Sequence, residues 1–141
     1  DYRVLGASAF FRLPEVPLGM NMSWQTLPRL VAQIGPARTK QYVILGHRVP
    51  AATALSWGLC EEVVADGGAL AAAQALAEQI QRLPPLPVRM TKQAVNASAN
   101  ALNHLASHMD RDQYLLAAQT EDFAEAVSAF LEKRSPKFTG R

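Results

Sequence analysis

The sequence predicts a mostly α-helical chain that begins with a few short strands. The first twenty residues are rich in aromatic, aliphatic and proline residues and show no helical stripe, which is typical of short strands and turns. From Ser23 onward, start and stop signals for helices recur along the chain. With 141 residues and no long linker, the chain has the length of one domain. We divide it into residues 1–22 and a helical region, residues 23–141.

Two helices are predicted in the first part of the helical region. Ser23 is the expected N-cap of a helix from Trp24 to Gln33, because a serine hydroxyl can accept a hydrogen bond from the first helical turn. Gly35 ends that helix. Pro36 begins the next one, because proline suits a first helical position, and Gly46 ends it.

A shorter helix and a strand follow. Residues 50–57 are expected to form about two helical turns that end at Gly58, which can adopt the left-handed conformation common after a helix. Residues 62–65 are expected to be extended, and residues 66–68 form a turn. Apolar side chains then recur at intervals of three and four along residues 69–83, so this segment is predicted to be an amphipathic helix.

Three more helices are predicted towards the C-terminal end. The prolines of residues 84–87 interrupt the pattern, and helix resumes over residues 88–96 and again over residues 99–116. Thr120 is the expected N-cap of the last helix. The acidic residues that follow Thr120 favour a helix N-terminus, where they complement the helix dipole.

Glu15 is the first candidate for chemistry. It follows Pro14, and proline restricts both its own backbone and that of the residue before it, so the turn is expected to be stiff. The apolar residues on both sides make a poorly solvated setting that suits an acid/base group. A solvated or ion-paired loop carboxylate is the alternative that the local sequence leaves open.

Composition excludes several classes of protein. A net charge of +2 without a basic stripe gives no indication of nucleic-acid binding. No apolar run reaches the roughly 18–20 residues that cross a bilayer, so no membrane association is expected. The single cysteine, Cys60, cannot form a disulfide within the chain, and we expect a buried thiol and a cytoplasmic protein.

Other groups of residues give little support for a metal site or a nucleotide-binding site. His104 and His108 lie four residues apart on a predicted helix, but only Asp112 follows as a third ligand, so no metal site is expected. The glycines at 67 and 68 lack the spacing of a dinucleotide-binding turn. No cofactor is therefore predicted.

Taken together, the motifs resemble the C-terminal half of the enoyl-CoA hydratase/isomerase (crotonase) superfamily over nearly the whole chain. No single motif is specific, but their order and spacing match the family pattern. The segments that carry the resemblance are Phe-x-x-Pro-Glu-Val-x-x-Gly at residues 11–19, residues 27–31, Gly-Pro-Ala-Arg at 35–38, residues 45–49 and 51–59, Glu-Val-Val at 62–64, Pro-Pro-x-x-Val-Arg-x-x-Lys at 84–92, and residues 120–140.

The resemblance implies a ββα-spiral core followed by a helical region that packs trimers or hexamers, with an acyl-CoA as substrate. Glu15 matches a family glutamate that exchanges a proton with the acyl chain. Tyr114 and Lys133 fall where family members place an aromatic residue and a lysine near the CoA adenine and phosphates, commonly from a neighbouring subunit. The implied chemistry is stabilisation of a thioester enolate by two backbone N–H groups, with carboxylates moving protons.

Two departures from the family pattern limit what this chain can do alone. The family's oxyanion loops and its first glutamate lie upstream of the position that matches Asp1. The glycine-rich turn after Gly19 is replaced by bulkier residues, and we expect Met20, Met22 and Trp24 to line the acyl pocket. Trp24 is open to a second interpretation, as a core anchor.

Two functions are therefore predicted from different classes. The first is the acyl-CoA-binding part of a hydratase or isomerase of fatty acid metabolism, active as part of a longer protein. The second is a non-catalytic oligomerisation or acyl-CoA-binding module that lacks the oxyanion hole.

Overall fold

The computed structural model describes residues 1–101 and 103–141, without the side chains of residues 104–108. Contacts divide the chain into two compact units, which are Asp1–Phe11 with Arg48–Ala101 and Arg12–His47 with Leu102–Arg141. The predicted division after residue 22 follows a change of composition and stays a prediction.

The described elements are β1 (Val4–Gly6), β2 (Phe10–Phe11), a 3-10 helix (Val16–Leu18), α1 (Thr26–Leu45), β3 (Val49–Pro50), α2 (Ala51–Trp57), β4 (Glu62–Val64), α3 (Ala69–Gln81), α4 (Pro85–Asn100), α5 (Asn103–Ala117) and α6 (Glu121–Glu132).

The first unit is organised by two small strand pairs. β1 pairs in parallel with β4, so that Val4 lies opposite Glu62, and β2 pairs antiparallel with β3. Beside the parallel pair, the backbone N–H of Arg3 donates to Oε2 of Glu61 over 2.6 Å. The apolar core of this unit includes Val49, Ala51, Ala54, Leu59 and Cys60.

The second unit contains the 3-10 helix, α1, α5 and α6. Its buried apolar residues come from the loop before α1, from α1 itself and from α6, where small alanines allow close packing. Contacts join α1 to α5, and the 3-10 helix to both α1 and α6. The buried apolar side chains are Met22, Leu30, Ile34, Tyr42, Val43, Ala126 and Ala129.

The break predicted in the first helical segment is confirmed. Gly35 interrupts α1 with φ of 79° and ψ of 164°, a conformation outside the helical region, and Pro36 follows it. The buried hydroxyl of Thr39 donates to the carbonyl of Gly35 over 2.8 Å, so this buried polar group is satisfied within one helical turn of the break.

The predicted start of that segment is wrong. α1 begins at Thr26, and its N-cap is Gln25 in the left-handed conformation instead of Ser23. The carboxylate of Asp110, on α5, accepts the backbone N–H of Gln25 over 2.7 Å. This bond joins residues 85 positions apart and fixes where the helix begins, so the local signal at Ser23 does not decide it.

The middle elements agree with the predictions. α2 occupies Ala51–Trp57 and ends at Gly58, whose φ is 79°. The extended segment becomes β4, and the predicted amphipathic helix becomes α3, which ends two residues earlier than expected.

The boundaries of the next two helices need correction. α4 starts at Pro85 instead of Val88, because proline is tolerated in a first helical turn. It continues to Asn100, through the predicted start of the following helix, and ends where Ala101 N–H bonds to Ser98. α5 covers Asn103–Ala117.

The last helix and the lone cysteine match expectation. α6 begins after Thr120, whose Oγ1 accepts the N–H of Phe123 over 3.1 Å. Cys60 is buried, and burial is the largest of the effects that raise the pKa of its thiol. In the part of the chain that the structure describes, no helix is long and apolar enough to cross a bilayer.

Candidate active site

The Glu15 loop, which we define as residues 12–20, closes on itself through backbone hydrogen bonds. The carbonyl of Glu15 accepts the N–H of Leu18 over 3.0 Å and that of Met20 over 2.9 Å. Gly19 ends the 3-10 helix with φ of 74°, a conformation that favours glycine. The predicted stiffness of this turn therefore has a structural basis.

Two glycines let the Glu15 loop approach the neighbouring helices. A Cβ atom built on Gly19 would lie 2.9 Å from Cα of Phe123 on α6. A Cβ atom built on Gly46, at the end of α1, would lie 2.6 Å from Cγ of Pro17. These approaches place the loop against α1 on one side and α6 on the other.

A side-chain bond adds to this anchoring. Nε of Arg12 donates to the carbonyl of Gly46 over 3.0 Å. The bond satisfies a carbonyl at the C-terminal end of α1, where helical partners run out. The Glu15 loop is thus held by the Arg12 bond at its beginning and by the close approach of Gly19 to α6 near its end. A proton-transfer group requires a backbone held in position in this way.

The carboxylate of Glu15 is partly sequestered from solvent. Glu15 is half-buried, its Oε2 atom is shielded, and this atom accepts no hydrogen bond from the described residues. An orphaned carboxylate oxygen is costly, and such atoms are often retained for chemistry or for a ligand. The arrangement suits a general acid or base that acts on a bound molecule.

Tyr42 is a neighbour of Glu15 that sequence reasoning missed. It lies in the last turn of α1 and is only 4% exposed. Burial, and after it the negative charge of Glu15, raise the pKa of Tyr42 to about 12. The available signal was its position four residues before Gly46, which places it one helical turn from the contact with the Glu15 loop.

The expected pocket residues occupy different environments. Met20 is half-buried and is joined to Glu15 by the backbone bond described above. Met22 is fully buried, with 0% exposure, whereas Trp24 is 56% exposed. Their role in lining an acyl pocket stays a prediction.

The two residues expected near a CoA group lie on the C-terminal helices. Tyr114 is half-buried on α5. Lys133 is exposed and ends α6 with φ of 55°, a left-handed conformation. Both are predicted to act across a subunit boundary, and that role stays a prediction.

Among the residues with described side chains, no group of three or more His, Cys, Asp and Glu is arranged to hold a metal ion. The side chains of His104 and His108 lie outside the described residues. Asp112, the third ligand considered for this pair, is exposed on α5.

A groove of about 830 Å³ occurs in the first unit, and none of the residues predicted to act lines it. It lies beside α4 and the beginning of the chain, where Lys92 Nζ pairs with Asp1 over 2.7 Å. No sequence pattern predicted this groove, and the only local signal was the proline-rich start of α4. Its apolar lining is Ile80, Leu83, Pro84, Pro87, Val88 and Val95.

Comparison with protein-family models gives a match over residues 1–141 to the family described as enoyl-CoA hydratase/isomerase. The chain is 34% identical to 2,3-dehydroadipyl-CoA hydratase of Escherichia coli K12, over 100% of this chain and 55% of that protein. It is 35% identical to 1,2-epoxyphenylacetyl-CoA isomerase of the same organism, over 94% of this chain and 49% of that protein. The chain thus spans about half the length of these curated relatives.

Solved structures show the same relationship. An enoyl-CoA hydratase from Mycobacterium avium subsp. paratuberculosis K-10 superposes with a TM-score of 0.90 at 28% identity, over 99% of this chain and 56% of that one. A carnitinyl-CoA hydratase from Mycobacterium avium gives a TM-score of 0.90 at 32% identity, over 100% of this chain and 55% of that one. The fold is therefore that of the crotonase proteins, and the predicted fold class is confirmed.

Proposed function

Because the chain belongs to the enoyl-CoA hydratase/isomerase family, we propose that it is the acyl-CoA-binding part of such an enzyme, in which Glu15 transfers a proton to or from a thioester enolate. Relatives whose names specify CoA thioesters, one a hydratase and one an isomerase, support the substrate class. Both reactions need a group that moves protons beside the thioester.

One observation carries the role of Glu15. Its Oε2 atom is shielded from solvent and is left without a donor among the described residues, on a loop held by α1 and α6. A structural ion pair or hydrogen bond made through Oε2 would occupy that atom. An available oxygen on a fastened loop favours proton transfer over the alternative of a salt-bridged loop residue.

The chain supplies half of the proposed chemistry. Glu15 holds or releases the proton, and the Glu15 loop fixes where the carboxylate points. The two backbone N–H groups that would stabilise the enolate oxygen are expected in upstream sequence of the whole protein, as the family resemblance implies. The whole enzyme therefore combines an enolate-binding half with this proton-transferring half.

The remaining features of the proposal concern binding and assembly. Met20, Met22 and Trp24 shape the acyl pocket, while Tyr114 and Lys133 approach the CoA group of a neighbouring subunit. The enzyme is a homotrimer or hexamer of the cytoplasm, acts in fatty acid metabolism and uses no cofactor beyond the CoA thioester itself. Lys133 supports the CoA contact because its ammonium group is exposed at the end of α6, where a phosphate could reach it.

The test is the substitution Glu15→Gln in the full-length protein. A panel of acyl-CoA thioesters is assayed by mass spectrometry, which separates water addition from double-bond movement. We expect turnover to fall by at least about a hundredfold, because general acid/base groups contribute roughly that much. Glu78→Gln is the matched control, since Glu78 is exposed on α3, and its turnover should be unchanged.

Two results would contradict the proposal. Unchanged turnover in a folded Glu15→Gln protein removes Glu15 from the chemistry. Acyl-CoA binding by the full-length wild type without turnover of any thioester supports the non-catalytic module instead.

A further inference from the structure

Trp24 lies in a short segment, residues 21–25, that joins the Glu15 loop to α1 and that we call the Trp24 loop. The side chain of Trp24 is 56% exposed, although tryptophan is among the side chains that gain most from burial, and this exposure argues against a core anchor. Met22, two residues earlier, is fully buried. The Trp24 loop therefore buries its smaller apolar side chain and presents the larger one.

The Trp24 loop is tied to α5 on both sides of the tryptophan. Before it, Nδ2 of Asn21 donates to Oε1 of Gln113. After it, the backbone N–H of Gln25 donates over 2.7 Å to Oδ2 of Asp110, which is only 4% exposed. The two acceptors are three residues apart and so lie on one face of the helix. The indole is thus exposed on a loop that is held in place.

A strained backbone follows the tryptophan directly. Gln25 has φ of 57° and ψ of 33°, in the left-handed region that favours glycine. Among the described residues, Lys133 is the one other non-glycine with a positive φ. Such a conformation persists where the surroundings impose it, and here the bond to buried Asp110 does so. The fold therefore maintains a strained turn next to an exposed indole, as is typical of a site that meets a ligand.

The Trp24 loop begins beside the carboxylate proposed to move protons. Met20, the residue before the loop, donates its N–H to the carbonyl of Glu15 over 2.9 Å. Trp24 is four residues further along the chain, and four residues of extended chain span at most about 14 Å. Both residues belong to the same compact unit. One acyl group can therefore meet the Glu15 carboxylate at its reacting carbon and the indole at its far end.

We propose that Trp24 is a specificity-determining residue, whose indole stacks on a flat aromatic ring at the far end of the acyl group. The site then takes aryl-substituted acyl-CoA thioesters in preference to aliphatic ones of the same size. Aromatic pairs gain energy beyond the area that they bury, because the faces and edges of the rings carry opposite partial charges. A saturated ring gains only from burial. This inference rests on the proposed function, since it takes an acyl-CoA as the ligand.

The first experiment compares two ligands that differ only in aromaticity. 3-Phenylpropanoyl-CoA and 3-cyclohexylpropanoyl-CoA have the same number of carbon atoms, and neither has a double bond beside the thioester for a hydratase or isomerase to act on. Calorimetry gives the Kd of each ligand with the full-length wild type and with Trp24→Leu, which removes the aromatic face and keeps an apolar side chain. We expect the wild type to prefer the phenyl thioester, and the ratio of the two Kd values to fall about three- to tenfold in the variant. Tyr2→Leu is the matched control, since Tyr2 is an aromatic residue with 60% exposure, and it should keep the wild-type ratio.

The second experiment observes the contact itself. Tryptophan is replaced biosynthetically by 5-fluorotryptophan, and the fluorine resonance of Trp24 is assigned by its loss in Trp24→Phe. We expect this resonance to shift on saturation with the phenyl thioester, and to shift less with the cyclohexyl thioester, because only an aromatic ring has a ring current. Trp57, on α2, is the reference and should not respond.

The outcomes separate failure of this inference from failure of the proposed function. An equal Kd ratio in the wild type and in folded Trp24→Leu overturns the aromatic contact, and so does a Trp24 resonance that ignores the phenyl thioester. A wild type that binds neither thioester overturns the proposed substrate class and this inference together. If Glu15→Gln retains full turnover while both ligand experiments behave as expected, the aromatic contact stands and the proposed catalytic role of Glu15 fails.

Discussion

The contact between Gly46 and the Glu15 loop can be tested by adding one methyl group. In Gly46→Ala the new Cβ would lie 2.6 Å from Cγ of Pro17, 3.0 Å from its Cδ and 3.1 Å from the carbonyl oxygen of Leu13. The proline ring and the backbone oxygen are not the flexible ends of side chains, so neither can move away without displacing the loop. The substitution therefore acts on the segment that carries Glu15.

The size of the effect follows from two contributions. An alanine at φ of +59° is in the left-handed region, which costs roughly 1–2 kcal/mol. Forcing an extra methyl group into a packed contact costs about 1–3 kcal/mol. We therefore expect the free energy of unfolding to fall by about 2–5 kcal/mol, the sum of the two.

A matched substitution separates these contributions. Gly67 has φ of +85°, and a Cβ built there meets nothing within 4 Å. Gly67→Ala should therefore lose only the backbone contribution of roughly 1–2 kcal/mol. Both variants are compared with the wild type by urea denaturation followed by far-ultraviolet circular dichroism. If Gly46→Ala is no more destabilised than Gly67→Ala, the close approach of the loop to α1 is wrong.

Two other contacts of the second unit give further predictions. Asp110→Ala removes the acceptor of the Gln25 N–H, so we expect a loss of about 2 kcal/mol, while exposed Asp112→Ala should stay within about 0.5 kcal/mol in the same denaturation assay. Equal losses would show that the capping bond does not stabilise α1. The hydrogen bonds of Glu125 with Arg134, and then with the Lys137 N–H, lower the pKa of Glu125 from 4.5 to about 2. Because the pKa of Glu125 is lower in the folded chain than in the unfolded chain, its charged carboxylate stabilises the contact with the C-terminal tail. This contribution is fully present above pH 4.5 and is lost as pH falls through about 2. The Lys137 amide resonance in NMR should follow that transition, and a resonance with the same pH response in Glu125→Gln would contradict the assignment.

Several element boundaries could be predicted because they depend on neighbouring residues. Gly35, Gly46 and Gly58 each adopt a positive φ where the sequence predicts a helix to end or break. Thr120 caps α6 through a bond to a residue three positions away. Ser23 carried a similar local signal, yet the start of α1 follows the bond from Gln25 to Asp110 on another helix.

The residues of the candidate site also fall into those that the sequence could predict and those that it could not. Glu15 could be proposed from the stiff, apolar setting of its sequence and from the family pattern around it. Tyr42 could not, because its relation to Glu15 depends on the packing of the last turn of α1 against a loop some thirty positions earlier. The sequence pattern also could not predict that Trp24 is exposed and Met22 completely buried. Residues close together in the sequence can face solvent or the core, and only the packing of the chain decides which.

By itself, the sequence determined the family, the helical character of the chain and the identity of the carboxylate proposed to move protons. These features can be predicted from the spacing of apolar residues, from the positions of glycine and proline, and from the order of the family motifs. The tertiary structure alone decided that β1 pairs with β4, that Asp110 caps α1, and that a shielded oxygen of Glu15 is left without a hydrogen-bond partner among the described residues. Each of these depends on contacts between residues far apart in the chain, whose energies become available only when the segments pack together.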